Sequence, residues 1–431
     1  MNLRYKKLLL TTALATASLC LSAPASAQVT EVDADARLDT VLVVGQRAMM
    51  ESAIARQRAS DTIQSVVTRD ALGQFPDQNV AEATRRLTGV NILDDQGEGR
   101  FISVRGLDPT LNASSINGVR LPSPESDTRA VALDVVASEL VESIEVKKTL
   151  TPDMDADTIG ASIEINTTKA FDRDDLFLST KLEGSYNDLN GEYSPKAAVD
   201  FSIPISDTFG VAGGLSFSNR KTSTDNIEAG GWKTNDDGVT YAEDLEYRDY
   251  DVERERIGGS LSFDWKATDS TTLYARAIYS KFDDTEKRQR LVFTFDEPVS
   301  GDADSATFDS GNEIRIRRGL KDRFESQIIQ SYQVGGETET GPWKFDYKLA
   351  YSEAEEHEYD TQDPTRFEKK FKDAGELGVN VDYRNLEKPV FTILNGAEAF
   401  NDASNYKFKE LAVNDGMYKD KASSAKGDIA R

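Results

Sequence analysis

The sequence predicts a small mixed α/β domain followed by an antiparallel transmembrane β-barrel, incomplete here, with about seven or eight of its strands inside the chain. Three observations lead there. The first 27 residues read as an export signal, the second half repeats period-two apolar runs, and the turns joining those runs alternate between short and long.

The signal is taken first. Arg4, Lys6 and Lys7 form a basic start, Leu8 to Leu21 is an apolar stretch with small residues, and Ala25-Ser26-Ala27 is an A-x-A cleavage site. The stretch is too short to span a bilayer as a helix. Cys20, the only cysteine, lies inside it behind Leu19, a poor context for lipidation. The mature chain is therefore expected to carry no thiol, which removes disulfides, cysteine-metal sites and cysteine nucleophiles. A single histidine, His357, removes most zinc chemistry as well. The net charge of −24 excludes recognition of nucleic acid through phosphate neutralisation. A mean hydropathy of −0.51 does not exclude a barrel, whose strands show apolar groups to lipid only at alternate positions.

Residues 28–62 read as a flexible, exposed segment. Within it, Asp39-Thr40-Val41-Leu42-Val43-Val44-Gly45 is a β-prone run, suited either to a first strand or to pairing with the sheet edge of a partner. Residues 63–171 read as the mixed domain. Asn79 to Leu87 has helical spacing, with Gly89 as its stop. Val90 to Leu93 and Phe101 to Val104 are apolar strands around the polar stretch Asp94 to Arg100. Asn117-Gly118 is a hairpin dipeptide, and Val141 to Val146 and Ala161 to Thr167 are further strands.

From residue 172 to 431 the texture is that of barrel strands. Apolar residues alternate along Leu176 to Tyr186, Ala197 to Ile205, Phe209 to Phe217, Ile257 to Trp265 and Trp343 to Tyr351. Leu273 to Phe282 and Ile328 to Val334 are rougher strands, and an eighth begins near Ala422. Tight turns at Ser206-Asp207, Thr268 to Ser270 and Glu339 to Pro342 alternate with long acidic stretches at Ser223 to Tyr250, Gln289 to Glu313 and Asp360 to Met417, read as outward loops. A β-sandwich also alternates. The export signal, the turn asymmetry and aromatics such as Trp265, Tyr279 and Trp343 placed for interfacial girdles favour the barrel. A bilayer tolerates no open sheet edge, and an eight-stranded barrel has no room for the domain before it, so the chain is expected to be a fragment.

Four segments in order resemble the TonB-dependent receptor family. Asp39 to Gly45 is similar to a TonB box; Glu98-Gly99-Arg100-Phe101-Ile102-Ser103-Val104-Arg105-Gly106 with Ile116 to Arg120 resembles the plug core. Val141 to Lys148 resembles the strand after it, and Thr151 to Gly160, with Pro152-Asp153-Met154-Asp155-Ala156-Asp157, resembles a plug signature of one proteobacterial subfamily. The resemblance implies a plug inside a barrel of roughly 22 strands. It implies active transport of a scarce solute across the Gram-negative outer membrane, either a carbohydrate or other organic nutrient or an iron-siderophore. TonB, with ExbB and ExbD, would supply the drive through Asp39, Thr40, Val41, Leu42, Val43 and Val44. Outer-membrane lipid and lipopolysaccharide would surround the barrel. A box so close to the signal leaves no room for an added signalling domain.

The resemblance also places site residues. Arg105 and Lys148 fall where family plugs hold cations that pair with barrel glutamates as a latch, the partner carboxylates being expected in the C-terminal part of the barrel outside this chain; the plain alternative is a solvated charge. Asp95, Glu98 and Arg100, with Ser123, Glu125, Asp127 and Arg129, fall in the plug apices that meet ligand, though most loop charges are only solvated. Acidic loops argue against highly anionic ligands. Asp153, Asp155, Asp157 and Glu164 mimic part of a calcium loop, but Thr158 replaces its turn glycine, so a plug turn is the reading and no metal or cofactor is expected. His357 beside Glu353, Glu355, Glu356 and Glu358 reads as a rim residue. No catalytic constellation supports an exported enzyme. A truncated, non-transporting outer-membrane relic or surface-binding protein is the alternative function.

Overall fold

Asn117 and Gly118 both take left-handed backbone, φ 50° and 72°, the conformation that a two-residue hairpin with type I′ geometry requires. The hairpin they make lies at one edge of a five-stranded sheet. A computed structural model describes residues 53–69, 77–152, 154, 158–173 and 175–431; the signal and the 39–45 run lie outside the described residues. The small domain contributes β1 (Gln64–Thr68), helix α1 (Val80–Thr84), β2 (Val90–Asp95), β3 (Glu98–Val104), β4 (Ala113–Ile116), β5 (Val119–Arg120), β6 (Ser143–Lys147) and β7 (Ser162–Asn166). The sheet order is β1-β6-β7-β4-β5, with β4 and β7 parallel, and β2 and β3 pair separately.

Period two along β6 and β7 turns Ile144, Val146, Ile163 and Ile165 into one core with Val80 and Val104. Helix α1 begins where expected but is shorter. Asn79 caps it, accepting from Glu82 N at 3.0 Å, and its amide also donates to Gly99 O at 3.0 Å. Beyond Thr84 the bonds shorten to i→i+3, Arg85 to Glu82 and Leu87 to Thr84, which tightens the chain out of the helix. Because Asn79 is fully buried and serves both helix and hairpin, Asn79→Ala is expected to cost about 1–2 kcal/mol, read as a lowered denaturant midpoint.

The wall follows: β8 (Phe177–Asn187), β9 (Glu192–Pro204), β10 (Phe209–Thr234), β11 (Thr240–Thr268) and β12 (Thr271–Phe295). After β13 (Ser300–Gly301) and β14 (Ser305–Asp309) come β15 (Ile314–Thr340), β16 (Trp343–Phe371), β17 (Gly378–Asp382), β18 (Val390–Asn395), helix α2 (Ala397–Asn401) and β19 (Lys407–Ala430). Eight of these strands form one antiparallel sheet, β19-β16-β15-β12-β11-β10-β9-β8, open at β8 and β19. The alternation has its expected meaning. Leu215, Ile257, Leu261, Phe263, Trp265 and Leu349 are exposed on one face, while Ala212, Ser216, Ser262 and Ser280 are buried on the other. That inner face receives the small domain, and Ile278, Phe282, Ile329 and Ala354 join its core. Gly258 permits the approach, since a Cβ there would stand 2.6 Å from Leu140 Cδ1.

The long stretches do not form loops over most of their length. The β10–β11 ladder continues to Thr234↔Thr240, β11–β12 reaches Asp244↔Thr294, and β15–β16 begins at Ile314↔Phe371. Past the first apolar runs the strands carry polar and charged residues on both faces, as along Asp283 to Arg290, and there the contrast that betrays a strand in sequence is lost. Charge pairs such as Arg248–Glu228 at 2.5 Å tie these extensions across the ladder. Their apolar residues meet a four-stranded sheet, β13-β14-β17-β18, around Phe293, Phe295, Phe308, Phe371 and Val379.

Candidate functional site

The tip of the β2–β3 hairpin turns through Gln96 and Gly97, φ 48° and 80°, and presses against the inner wall. Glu98 enters at 1% exposure. Its Oε1 accepts from Arg220 Nη1 at 2.5 Å, its Oε2 accepts from Arg256 Nη2, and Arg254 Nη1 stands 3.4 Å away. Burial pushes the Glu98 carboxyl up, but Arg256, Arg254 and Arg220 outweigh it and hold the group well below the usual carboxylate range.

The network spreads from there. Arg254 also reaches Asp95 Oδ2 at 3.1 Å and Asp284 at 3.5 Å, and Arg323 joins Asp284 to Glu286 at 3.0 and 3.1 Å. On the small domain, Arg100 donates to Asp95 Oδ2 at 3.1 Å and through Nε to Glu125 at 3.0 Å. Burial draws Arg100 down, and Asp134, Glu125 and Asp95 more than offset it. Asp134 is buried, accepts no side-chain hydrogen bond among the described residues, and is pushed up by that burial. Two further contacts fix the domain to the wall. Lys196 Nζ meets Glu139 at 2.6 Å and Asp77 O at 3.2 Å, and Arg69 meets Asp200 at 2.7 Å. Along the 117–120 hairpin the wall donates to backbone: Gln333 to Asn117 O at 3.2 Å, Lys348 to Gly118 O, and Ser352 to Arg120 O at 2.7 Å.

Asp95, Glu98, Arg100 and Glu125 are thus brought together, closed against the wall. Ser123 turns inward and donates to Ala130 O at 2.9 Å. Asp127 and Arg129 stand exposed on the neighbouring loop. Arg105 donates to Gly160 O at 2.5 Å, and Lys148 to Ser65 Oγ at 2.8 Å and Thr88 O at 2.5 Å. Neither pairs with a carboxylate of β8–β19. Asp153, Asp155 and Asp157 lie outside the described residues. Glu164 accepts from Ser115 Oγ and Gly118 N, both at 2.5 Å, and so holds the hairpin. His357 lies 3.7 Å from Asp415 and stacks on Tyr359 at 3.6 Å.

Arg220, Arg254, Arg256, Asp284 and Arg323 escaped the sequence reading. A signal for two of them exists. Extending the Ile257–Trp265 alternation backwards puts Arg256 and Arg254 on the inner parity of β11, where a charge needs a partner.

The family model for the TonB-dependent receptor plug domain matches residues 56–162. No curated protein matches. Among solved structures, the chain is similar to the outer membrane transporter YddB from Escherichia coli, at 12% identity, covering 77% of this chain and 57% of that one, TM-score 0.38. A mutant ferric enterobactin receptor (PfeA) from Pseudomonas aeruginosa gives 12% identity, 79% and 60% coverage, and TM-score 0.42. The siderophore receptor PiuA from Acinetobacter baumannii gives 10% identity, 86% and 62% coverage, and TM-score 0.36. The chain therefore spans about three fifths of the length of these structures.

Proposed function

We propose, from the TonB-dependent receptor plug domain that residues 56–162 form, that this protein works in energy-driven import of a scarce solute across the outer membrane. The observation that carries this reading is the docking of that domain, through Glu98 and its three arginines, on the inner face of a sheet whose outer face is an apolar strip. Residues 1–27 are taken as an export signal, 63–171 as the plug and 172–431 as wall strands. Transport then requires the plug to shift, and the Glu98 contact is what must part and re-form. Asp127 and Arg129, exposed on the plug loop, are placed to touch an arriving solute. The solute is a carbohydrate or other organic nutrient, or an iron chelate. Asp39 to Val44 are the residues offered to TonB, energised by ExbB and ExbD.

Deleting residues 39–45 tests this directly. Uptake of the radiolabelled nutrient by whole cells should fall to the level of cells lacking TonB, while the amount of protein in the outer membrane stays the same. Uptake unchanged by the deletion would sink the reading and leave a surface-binding protein.

A further inference from the structure

The outer face of the wall continues past the apolar band. On β11 the outward parity runs Trp265, Phe263, Leu261 and Ile257, then through the acidic Glu255, Glu253, Asp251 and Asp249, and in an unbroken register reaches Tyr247 and Leu245. Strands climb ~3.3 Å per residue and barrel strands tilt about 40°, so each residue rises about 2.5 Å. An apolar band about 25 Å tall that begins at Trp265 ends near Glu255, which puts Tyr247 about 20 Å above it. There the β13-β14-β17-β18 sheet covers Leu245 and Phe293. On the membrane side of that cover a cavity of about 710 Å³ opens on the outer face. Its walls are the rings of Tyr247, Phe367 and Phe391 with Leu291, and Asp249 and Lys388 stand at its rim. Tyr247 is fixed by donating to Pro389 O at 2.8 Å, so floor and roof hold one another.

We infer that this cavity binds the glycan part of an outer-leaflet glycolipid, the phosphorylated core sugars of lipopolysaccharide. The inference rests on the outer-membrane reading above. The cavity lies on the same face of the strands as the apolar strip, above an acidic belt of Glu255, Glu253 and Asp251, and this selects a membrane component, because a solute entering the lumen meets the opposite face. Height selects its sugars over its acyl chains. Aromatic faces take the C–H faces of a sugar ring, and a carboxylate such as Asp249 accepts from hydroxyls; although the long stretches are acidic as a whole, this cavity is lined by Arg248, Arg290, Arg318 and Lys388 against Asp225 and Asp249, a local balance that suits phosphate.

The test is a calorimetric titration of the whole protein in detergent with phosphorylated core oligosaccharide released from lipopolysaccharide. Saturable binding is expected, weakened about a hundredfold by Asp249→Asn with Lys388→Ala, which removes two charge-assisted contacts at about tenfold each. Both residues are exposed, so this double variant keeps its fold; Phe391→Ala should abolish binding. No saturable binding, or an unchanged affinity in the rim variant, overturns the assignment. Equal binding of unphosphorylated maltoheptaose also overturns it, in favour of a nutrient-sugar site. Whole-cell uptake run in parallel separates the two readings: lost uptake with intact glycan binding counts against import alone, and the reverse counts against this site alone.

Discussion

Glu98→Ala is expected to weaken the seating of the plug on the wall by about 3–5 kcal/mol, the usual penalty for stripping one partner from a buried charge cluster. Arg254 would retain Asp95 and Asp284, but Arg256, at 1% exposure, has Glu98 as its carboxylate and would be left with Asp134 O and the Phe282 ring, 4.4 Å from its guanidinium. Limited proteolysis of β2–β3 and chemical unfolding both read the change. Adding Arg256→Met should return most of the loss, since the penalty lies in the orphaned charge. The pH dependence has a definite sign. A carboxylate held below its ordinary value stabilises the fold fully above that value, about 4.3 for glutamate, and loses its contribution as pH falls beneath it. Wild type should therefore weaken progressively in acid, and Glu98→Gln should show a shallower slope there. Equal slopes would mean the cluster does not hold the plug.

Phe293→Ala should produce a loss of similar size, about 3–5 kcal/mol, in a different place. Phe293 is fully buried, with Phe391 at 4.7 Å, Phe295 at 5.6 Å and Phe400 at 5.9 Å between ring centres. Its removal opens a void where the β13-β14-β17-β18 sheet grips the strand extensions. The effect should be local: proteases should cut 296–313 and 372–406 sooner, while β2–β3 keeps its protection. Equal loosening of both regions would show that cover and plug unfold as one unit.

The two variants probe parts that differed in legibility. Asn117-Gly118, the helical spacing that begins at Asn79 and the alternation of 209–217, 257–265 and 343–351 were readable, because each is local and governed by backbone or one apolar face. The strand extensions were not, because runs such as Asp283 to Arg290 carry polar and charged side chains on both faces and interrupt the period. Asp95, Glu98, Arg100 and Glu125 could be singled out as polar apices, but not their destination. Which guanidinium meets Glu98 depends on β10 and β11 lying more than a hundred residues away. Arg105 and Lys148 donate to carbonyls of their own domain, a local contact that no motif in the sequence announces.

The place of β1 has a mechanical consequence. It is the outermost strand of its sheet, five residues long, paired with β6 alone, and the chain ahead of it runs to the N-terminus. Tension applied to that chain meets first the bond from Arg56 Nη1 to Ser143 Oγ of β6, 3.0 Å, and then the backbone ladder at Ile63, whose carbonyl accepts from Lys148 N at 2.7 Å as the first rung. Each rung that gives way lengthens the slack by one residue without separating any other pair of strands. The strand can thus part in order, from an edge, while β6 stays paired with β7. The Lys148 side chain, tied to Ser65 Oγ and Thr88 O, bridges the first rungs.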